Sequence, residues 1–220
     1  MAFQRFNPEN DVVENQRTTI SSGLWTGGSS TLTGFFTQSS NGNITGSVLE
    51  LYNVDPNTDT SAETQIAVGY ANIHGSGSAG NTTKLTTGGR QTAALYRQFR
   101  NVILAPNTDE FTFTGAPSSS DDFYFISFQR ARQREKIDPG NWELQLTGQM
   151  SGKAAKIQLI DDSGAGLNPT VNEGGRVFNV VSGSVAGGVA TAATAQGPGA
   201  YGLFYPDLGL ILLNPATLVS

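Results

Sequence analysis

The sequence contains no cysteine and only one histidine among its 220 residues. Disulfides and thiolate metal sites are therefore excluded. Any histidine-dependent catalytic or metal site would have to rest on His74, which we interpret as an ordinary polar loop residue after a strand. No apolar run approaches the roughly 20 residues that a transmembrane helix needs. The opening stretch, MAFQRFNPENDVVENQRTT, lacks the pattern of a secretory signal.

Charged residues are also scarce. They make up 14% of the chain, hydrophobic residues make up 37%, and the net charge is −5. A negative net charge does not attract nucleic acid or an anionic membrane, so we expect neither as a partner. The chain is too rich in apolar strand segments to be disordered and too polar to be a membrane protein.

Short strand-like segments dominate the chain, separated by Gly, Pro, Asn and Ser. In residues 65–73, Ile66, Val68 and Tyr70 share one face, and this period of two indicates a half-buried strand. Residues 123–128 (FYFISF) are apolar on both faces, which is typical of a central strand covered on each side. The other predicted strands are 46–54, 111–114, 142–147, 156–160, 176–181, 201–205 and 208–213. Turn signals lie at 55–57, 138–141 and 206–207, the last of them predicting a hairpin.

One segment has a helical period instead. In residues 91–104, Leu95, Phe99, Val102 and Ile103 recur at helical spacing, and Ala105-Pro106 ends the pattern. The fold class predicted is mainly β: β-sandwich-like antiparallel sheets with one packed helix at about 91–104 and long Gly/Ala/Ser loops.

The predicted organisation is an N-terminal arm at 1–17 and a β-rich domain at 18–220. Two sub-domains divided near 116–121 are the alternative. Residues 182–200 (SGSVAGGVATAATAQGPGA) have almost no large side chain. We therefore predict a long flexible loop there, or an arm that orders against a neighbour, and expect 183–199 to be mobile in the isolated chain.

Three local patterns could carry chemistry. Residues 75–80 match GxGxxG, but NTTKLTTGGRQ follows and cannot begin the helix that a dinucleotide site requires, so we interpret them as a mobile loop. The pairs at 121–122 and 161–162 are adjacent aspartates. Neighbours on a strand point to opposite faces, so neither pair is a preformed acid/base dyad. A weak Ca²⁺ site in one of these loops remains an alternative. We predict no catalytic, cofactor-binding or metal-binding residue.

A run of alternating cations follows the FYFISF segment: Arg130, Arg132, Arg134 and Lys136. If the strand continues through them, all four project from one face as a basic ladder. Such charges can simply protect an exposed edge from unwanted strand pairing. The hypothesis we favour is that they dock an acidic protein partner, since arginine forms bidentate pairs with carboxylates.

Four segments resemble virion structural proteins of T4-like contractile-tailed phages, especially phages of cyanobacteria. They are LYRQFRNVILAP (95–106), DDFYFISFQRARQREKIDPGNWELQL (121–146), GGRVFNVVSGSV (174–185) and YGLFYPDLGLILLNP (201–215); GLWTG (23–27) and VGYANIHGSGS (68–78) fit more loosely. The resemblance implies a multi-copy subunit of the tail or baseplate that contacts other virion proteins, is assembled in the host cytoplasm and resides in the virion. It carries over no site residues, and it implies a gene product that can extend past Ser220.

The function expected from the sequence is therefore that of a non-enzymatic structural subunit in the tail baseplate or its periphery, without cofactor. A neck or collar protein and a capsid decoration protein are alternatives. Another is a glycan- or receptor-binding module of a tail appendage, which an exposed Trp25 or Trp142 would support. A carboxylate glycan hydrolase fits least well, because the acids are not separated as a dyad requires.

Overall fold

The computed structural model describes residues 36–37, 48–52, 59–78, 91–130, 136–150, 153–165, 169–190 and 200–218. Strands and helices follow one another as β1 (Phe36–Thr37), β2 (Val48–Tyr52), β3 (Thr64–Asn72), α1 (Gln91–Ile103), β4 (Asp122–Phe128), β5 (Leu144–Met150), β6 (Lys153–Asp161), β7 (Thr170–Asn172), β8 (Gly175–Ser184), β9 (Gly188–Val189), β10 (Gly202–Tyr205), β11 (Leu210–Leu213) and the one-turn α2 (Pro215–Leu218). A 3₁₀ turn at Asp162–Ala165 follows β6. The N-terminal arm predicted at 1–17 lies outside the described residues.

The described strands form one antiparallel sheet. Its order is β1-β2-β3-β4-β11-β10-β8-β6-β5, and β7 and β9 each pair with β8. The mainly β fold with one packed helix at 91–104 is therefore confirmed. Strand β3 precedes residues 116–121 and strand β4 follows them. The two strands pair with each other from Ile66↔Phe128 to Asn72↔Asp122, so both belong to the same sheet. In the described part of the chain, no helix is long and apolar enough to cross a membrane.

The central strands have buried residues on both faces, as the FYFISF segment predicts, although Tyr124 of β4 is exposed. Phe123 and Phe125 of β4 point to the face covered by α1, whereas Ile126 belongs to the cluster on the opposite face. The neighbouring strand β11 is buried throughout, with Leu212 facing the helix and Ile211 facing away. Strands covered on both sides need apolar residues at successive positions, which explains the continuous apolar runs.

Helix α1 covers one face of the sheet. Tyr96 is 1% exposed, and its ring packs edge-on against Phe111 at 5.5 Å. Its hydroxyl donates to the Ser120 carbonyl at 2.7 Å, so the aromatic core has a satisfied polar atom. Ile103 is fully buried as expected, but Val102 is 50% exposed. Including Val102 in the apolar face was wrong, because the buried stripe runs through Thr92, Ala93, Tyr96 and Ile103.

The other face of the sheet is concave. The apolar cluster on this face includes residues from both ends of the strand order. Leu51 of β2 and Ile66 of β3 lie near one end, and Leu144 of β5 and Leu159 of β6 lie at the other. The sheet is therefore curled, as the right-handed twist of adjacent strands favours, and the two ends of the strand order share one core.

Two predicted turns are confirmed. Strands β10 and β11 form an antiparallel hairpin around Pro206-Asp207. Pro139-Gly140 forms a tight turn in which the Asn141 N–H donates to the Asp138 carbonyl at 3.2 Å. Gly140 has a φ of 81°, the left-handed conformation that this turn requires and that glycine adopts without strain.

The long loop predicted at 182–200 is partly a hairpin. Strand β8 continues to Ser184, and Gly183↔Val189 and Ser184↔Gly188 pair across the turn to β9. The Ser184 Oγ accepts the Gly187 N–H at 2.9 Å, and Val189 packs against a small cluster of Ile160, Val181 and Ala200. These contacts between distant segments stabilise strands that local composition does not favour. Residues 191–199 of the predicted loop lie outside the described residues.

Candidate functional site

His74 lies in the turn after β3, at the end of the sheet where β4 begins. Its Nε2 lies 3.4 Å from a carboxylate oxygen of Asp121, and both side chains are largely exposed, at 76% and 58%. Its own N–H donates to the Asn72 side-chain carbonyl at 3.0 Å. The residue thus occupies a solvated turn, and its pairing with Asp121 is a surface contact of the kind that adds little stability.

The glycine-rich loop contacts the start of α1. Ser78 Oγ accepts the Thr92 N–H at 3.2 Å, and Thr92 Oγ1 donates to the Ser76 carbonyl at 2.7 Å. The first N–H groups of a helix have no partner within the helix, so Ser78 satisfies one of them from a distant position. We predicted a mobile loop at 75–80; of its described residues, 75–78, Ser76 and Ser78 are hydrogen-bonded to Thr92.

The first pair of aspartates is divided between different partners, as strand alternation predicts. Asp121 faces His74, whereas Asp122 Oδ2 accepts the Tyr70 hydroxyl at 2.6 Å. Burial, and then the hydrogen bond to Asp122, raises the pKa of Tyr70 to about 12. The Tyr70 ring lies 5.2 Å from that of Tyr124, whose side chain is 42% exposed.

A glycine fixes the position of the Tyr70 ring. Gly77 has a φ of +72°, and a Cβ added to it would lie 3.1 Å from two ring carbons of Tyr70. The loop backbone therefore packs directly against the ring, which leaves Tyr124 as the more exposed partner of the pair. Sequence reasoning missed this arrangement, because Tyr70 and Tyr124 become neighbours only through the β3–β4 register.

The second pair of aspartates is buried and bonded within the fold. Asp161 is 0% exposed, and its carboxylate accepts the Gly140 N–H at 2.8 Å and the Ser163 N–H at 3.0 Å. Asp162 is 3% exposed and accepts both the N–H and the side-chain amide of Asn179, at 3.0 and 2.7 Å. These carboxylates connect β6 to the 138–141 turn and to β8. Nowhere in the described ranges do three or more His, Asp or Glu side chains come together as a metal ion would require.

Only the two ends of the predicted basic ladder lie in the described residues. Strand β4 ends at Phe128, so Arg130 lies beyond the strand and is exposed. Lys136 is exposed as well, whereas Arg132 and Arg134 lie outside the described residues. A basic ladder on one face required the strand to continue through Arg130. In the structure the strand ends before that residue.

The two tryptophans were the expected platforms for a glycan. Trp142 packs against Phe204 with ring centroids 5.1 Å apart, and it contacts the core cluster on the concave face. Its indole nitrogen is buried and has no hydrogen-bond partner in the described part of the protein. Trp142 is therefore a partly buried residue packed against the core, and this packing is a point against the glycan-binding alternative. Trp25 lies outside the described residues.

Comparison of the chain with protein-family models, with curated protein sequences and with solved structures finds no match in any of the three.

Proposed function

We propose that this chain is a non-enzymatic structural subunit of a tailed-phage virion, placed in the tail baseplate or its periphery and held by protein–protein contacts. One spatial observation carries the proposal. The segments that resemble virion proteins contain most of α1 (95–106), β4 and the first residues of β5 (121–146), β8 (174–185) and the β10–β11 hairpin (201–215). Four of these strands are consecutive in the sheet, in the order β4-β11-β10-β8, and α1 packs on their shared core cluster, whereas β5 lies at the far end of the strand order. Most of the resemblance therefore falls on one packed unit.

The use of the polar residues also supports a structural role. The side chains that could have carried chemistry hold elements together: Asp122 binds Tyr70, Asp162 binds Asn179, and Ser78 binds Thr92 at the start of α1. Buried carboxylates held by backbone and amide donors are typical of residues that fix a fold.

The edge of the sheet is suited to contacts with neighbouring subunits. Strand β5 ends the strand order and pairs with β6 on one side. None of the other described strands pairs with the opposite edge of β5. An open strand edge presents backbone donors and acceptors to a neighbour, and proteins use such edges for assembly by strand addition.

Cross-linking mass spectrometry on purified particles of the encoding virus tests the proposal. Lys84, Lys136, Lys153 and Lys156 supply the reactive amines. We expect the chain in clean particles, with cross-links to tail or baseplate proteins that include Lys136. Its absence from clean particles would overturn the virion assignment, and glycan arrays and hydrolase assays would then be the appropriate measurements.

A second experiment addresses the cations. Replacing two of Arg130, Arg132 and Arg134 by Glu should block incorporation into particles without unfolding the isolated protein, because like charges then face an acidic partner. Normal assembly of this variant would show that these residues only protect an edge.

A further inference from the structure

Strand β5 is an edge strand without the features that normally protect an edge. It is seven residues long (LQLTGQM) and contains neither a charged residue nor a proline. Its register with β6 is continuous from Leu144 to Met150, without a bulge. Soluble proteins protect long exposed edges with charges, proline or bulges, because an unprotected edge pairs with other strands. The composition of β5 therefore favours pairing with a strand of another molecule.

The other edges among the described strands are short or charged. At the opposite end of the strand order, β1 is two residues long, and its neighbour β2 carries Glu50. Within the described ranges, β6 pairs with β8 only from Leu159 to Asp161, and the segment of β6 before Leu159 carries Lys153 and Lys156. This contrast singles out β5 as the edge suited to a neighbouring strand.

The turn between β5 and β6 determines which backbone groups β5 directs outward. Met150 pairs with Lys153, and the residues on either side of a two-residue hairpin turn exchange hydrogen bonds with each other. Bonded and non-bonded pairs alternate along antiparallel strands, so the even-numbered residues of β5 bond to β6. The N–H and C=O groups of Gln145, Thr147 and Gln149 therefore point to the open edge.

A second copy of β5 is complementary to these groups. In an antiparallel pair with a two-fold axis at Thr147, Thr147 lies opposite itself and Gln145 lies opposite Gln149 of the second copy. The outward groups then form about six hydrogen bonds. Opposite residues share a face of the sheet, so Leu144 and Leu146, which pack partly buried on the concave cluster, lie on the same side in both copies. The concave apolar face thus continues across the axis.

Charge does not oppose this register. A two-fold contact brings each strand against its own copy, so a charged residue at the axis would face a like charge, and β5 contains none. Glu143, just before β5, already accepts hydrogen bonds from the Gln158 side chain and the Val185 N–H, each at 3.1 Å. Lys156 pairs with Thr147 within each copy. The two Lys156 residues would therefore be three strand spacings apart, roughly 14 Å, which exceeds the Debye length of about 8 Å at physiological salt.

We propose that β5 of one copy of this chain pairs with β5 of a second copy, so that their sheets join across a two-fold axis at Thr147. The contact is isologous, because the same strand is used by both copies, and its affinity comes from strand addition. The inference rests on the proposed function as an assembly subunit and names the partner at one of its edges.

Because the chain contains no cysteine, single cysteines test the register directly. Thr147→Cys places two thiols opposite each other with Cα atoms about 5.5 Å apart, within disulfide range. In the control Gln145→Cys, the two substituted positions are about 13 Å apart along the strands. Under mild oxidation we expect Thr147→Cys to form a covalent dimer on non-reducing gels, and Gln145→Cys to do so at least about tenfold more slowly. A mixture of Gln145→Cys and Gln149→Cys should cross-link again.

Sedimentation velocity of the full chain at roughly 0.1 mM measures the reversible contact. We expect the wild type to dimerise. Thr147→Pro removes the outward N–H at the axis and should weaken dimerisation at least about tenfold, whereas the matched Thr147→Val keeps that N–H and should dimerise like the wild type. Thr147→Lys and Thr147→Glu should each dimerise weakly alone and strongly as an equimolar mixture, because opposite charges then meet. Circular dichroism checks that each variant is folded.

A wild type that remains monomeric under these conditions would overturn the pairing of β5 with its own copy. Equal cross-linking rates for Thr147→Cys and Gln145→Cys, or equal dimerisation of Thr147→Pro and Thr147→Val, would overturn it as well. None of these results depends on whether purified particles contain the chain, so the virion assignment stands or falls separately.

Discussion

At the scale of single residues, the buried carboxylate of Asp162 is the clearest case of a polar group that stabilises the fold. It lies between the start of the 3₁₀ turn and β8, where Asn179 donates two hydrogen bonds to it. The Asn179 side-chain carbonyl in turn accepts the Thr114 hydroxyl at 2.6 Å, so the carboxylate anchors a chain of bonds across three segments. Within such networks, removing one member leaves the others unsatisfied.

We expect Asp162→Ala to lower the free energy of unfolding by about 1–3 kcal/mol, because two part-buried donors of Asn179 lose a charged acceptor. Urea unfolding at neutral pH measures the change. Glu173→Ala removes an exposed carboxylate and should leave the midpoint nearly unchanged. Equal midpoints for the two variants would show that Asp162 does not stabilise the fold.

At the scale of elements, the start of α1 is held by a segment that is distant in sequence. Thr92 is 0% exposed, and its hydroxyl lies 2.9 Å from Ser78 Oγ and donates to the Ser76 carbonyl. Thr92→Val keeps the shape of the side chain but removes these bonds. We expect a loss of about 1–2 kcal/mol in stability and faster amide exchange in the first turn of the helix. Thr112 is exposed, and Thr112→Val is the control, which should change neither quantity. If the amides of the first helical turn still exchange slowly in Thr92→Val, Thr92 does not anchor the helix.

Strand β8 and the β10–β11 turn are joined by the ion pair between Arg176 and Asp207. The guanidinium lowers the pKa of Asp207 below its usual value of 3.8. A carboxyl whose folded pKa is lowered contributes stability above its unfolded pKa and loses that contribution as the pH falls through its folded pKa. The wild type should therefore be more stable than Arg176→Gln at pH 7, by at most about 1 kcal/mol for a surface pair. The difference should vanish as the pH falls below about 4. A difference that persists at pH 2, measured by urea unfolding, would contradict the ion-pair explanation.

The sequence predicts elements better than it predicts their contacts. Alternation and apolar runs locate β3, β4 and the β10–β11 hairpin, because each pattern is local. The β9 hairpin depends on Val189 packing against Ile160 and Val181, which no local pattern reveals. The pairing of Tyr70 with Tyr124 depends in the same way on the β3–β4 register. Lone His74 was interpreted as a polar loop residue, and it lies in an exposed turn. Loop composition predicts a mobile loop at 75–80, and composition alone could not predict the bonds between Ser78 and Thr92.

At the scale of the whole molecule, the last strands of the chain lie in the middle of the sheet. Strand β11 pairs with β4, and β10 pairs with β8, so among the described strands the C-terminal hairpin alone joins the two halves of the strand order. Both core clusters include residues of this hairpin, such as Leu212 on the helix side and Phe204 on the concave side. Contacts of this kind, between strands far apart in sequence, make folding depend on the complete chain.

We therefore expect a chain that ends at residue 199 to lose cooperative unfolding, because β4 and β8 then have no strands between them and both clusters lose buried apolar area. Circular dichroism during urea unfolding measures this loss as a broad transition without a defined midpoint. A synthetic peptide of residues 200–218, added in excess, should restore a cooperative transition, since it supplies both missing strands. Deleting only residues 219–220 is the matched control and should leave the transition sharp. A truncated chain that unfolds with the wild-type slope would show that the two halves of the sheet are stable without the hairpin, and the central position of β10 and β11 would then have no energetic importance.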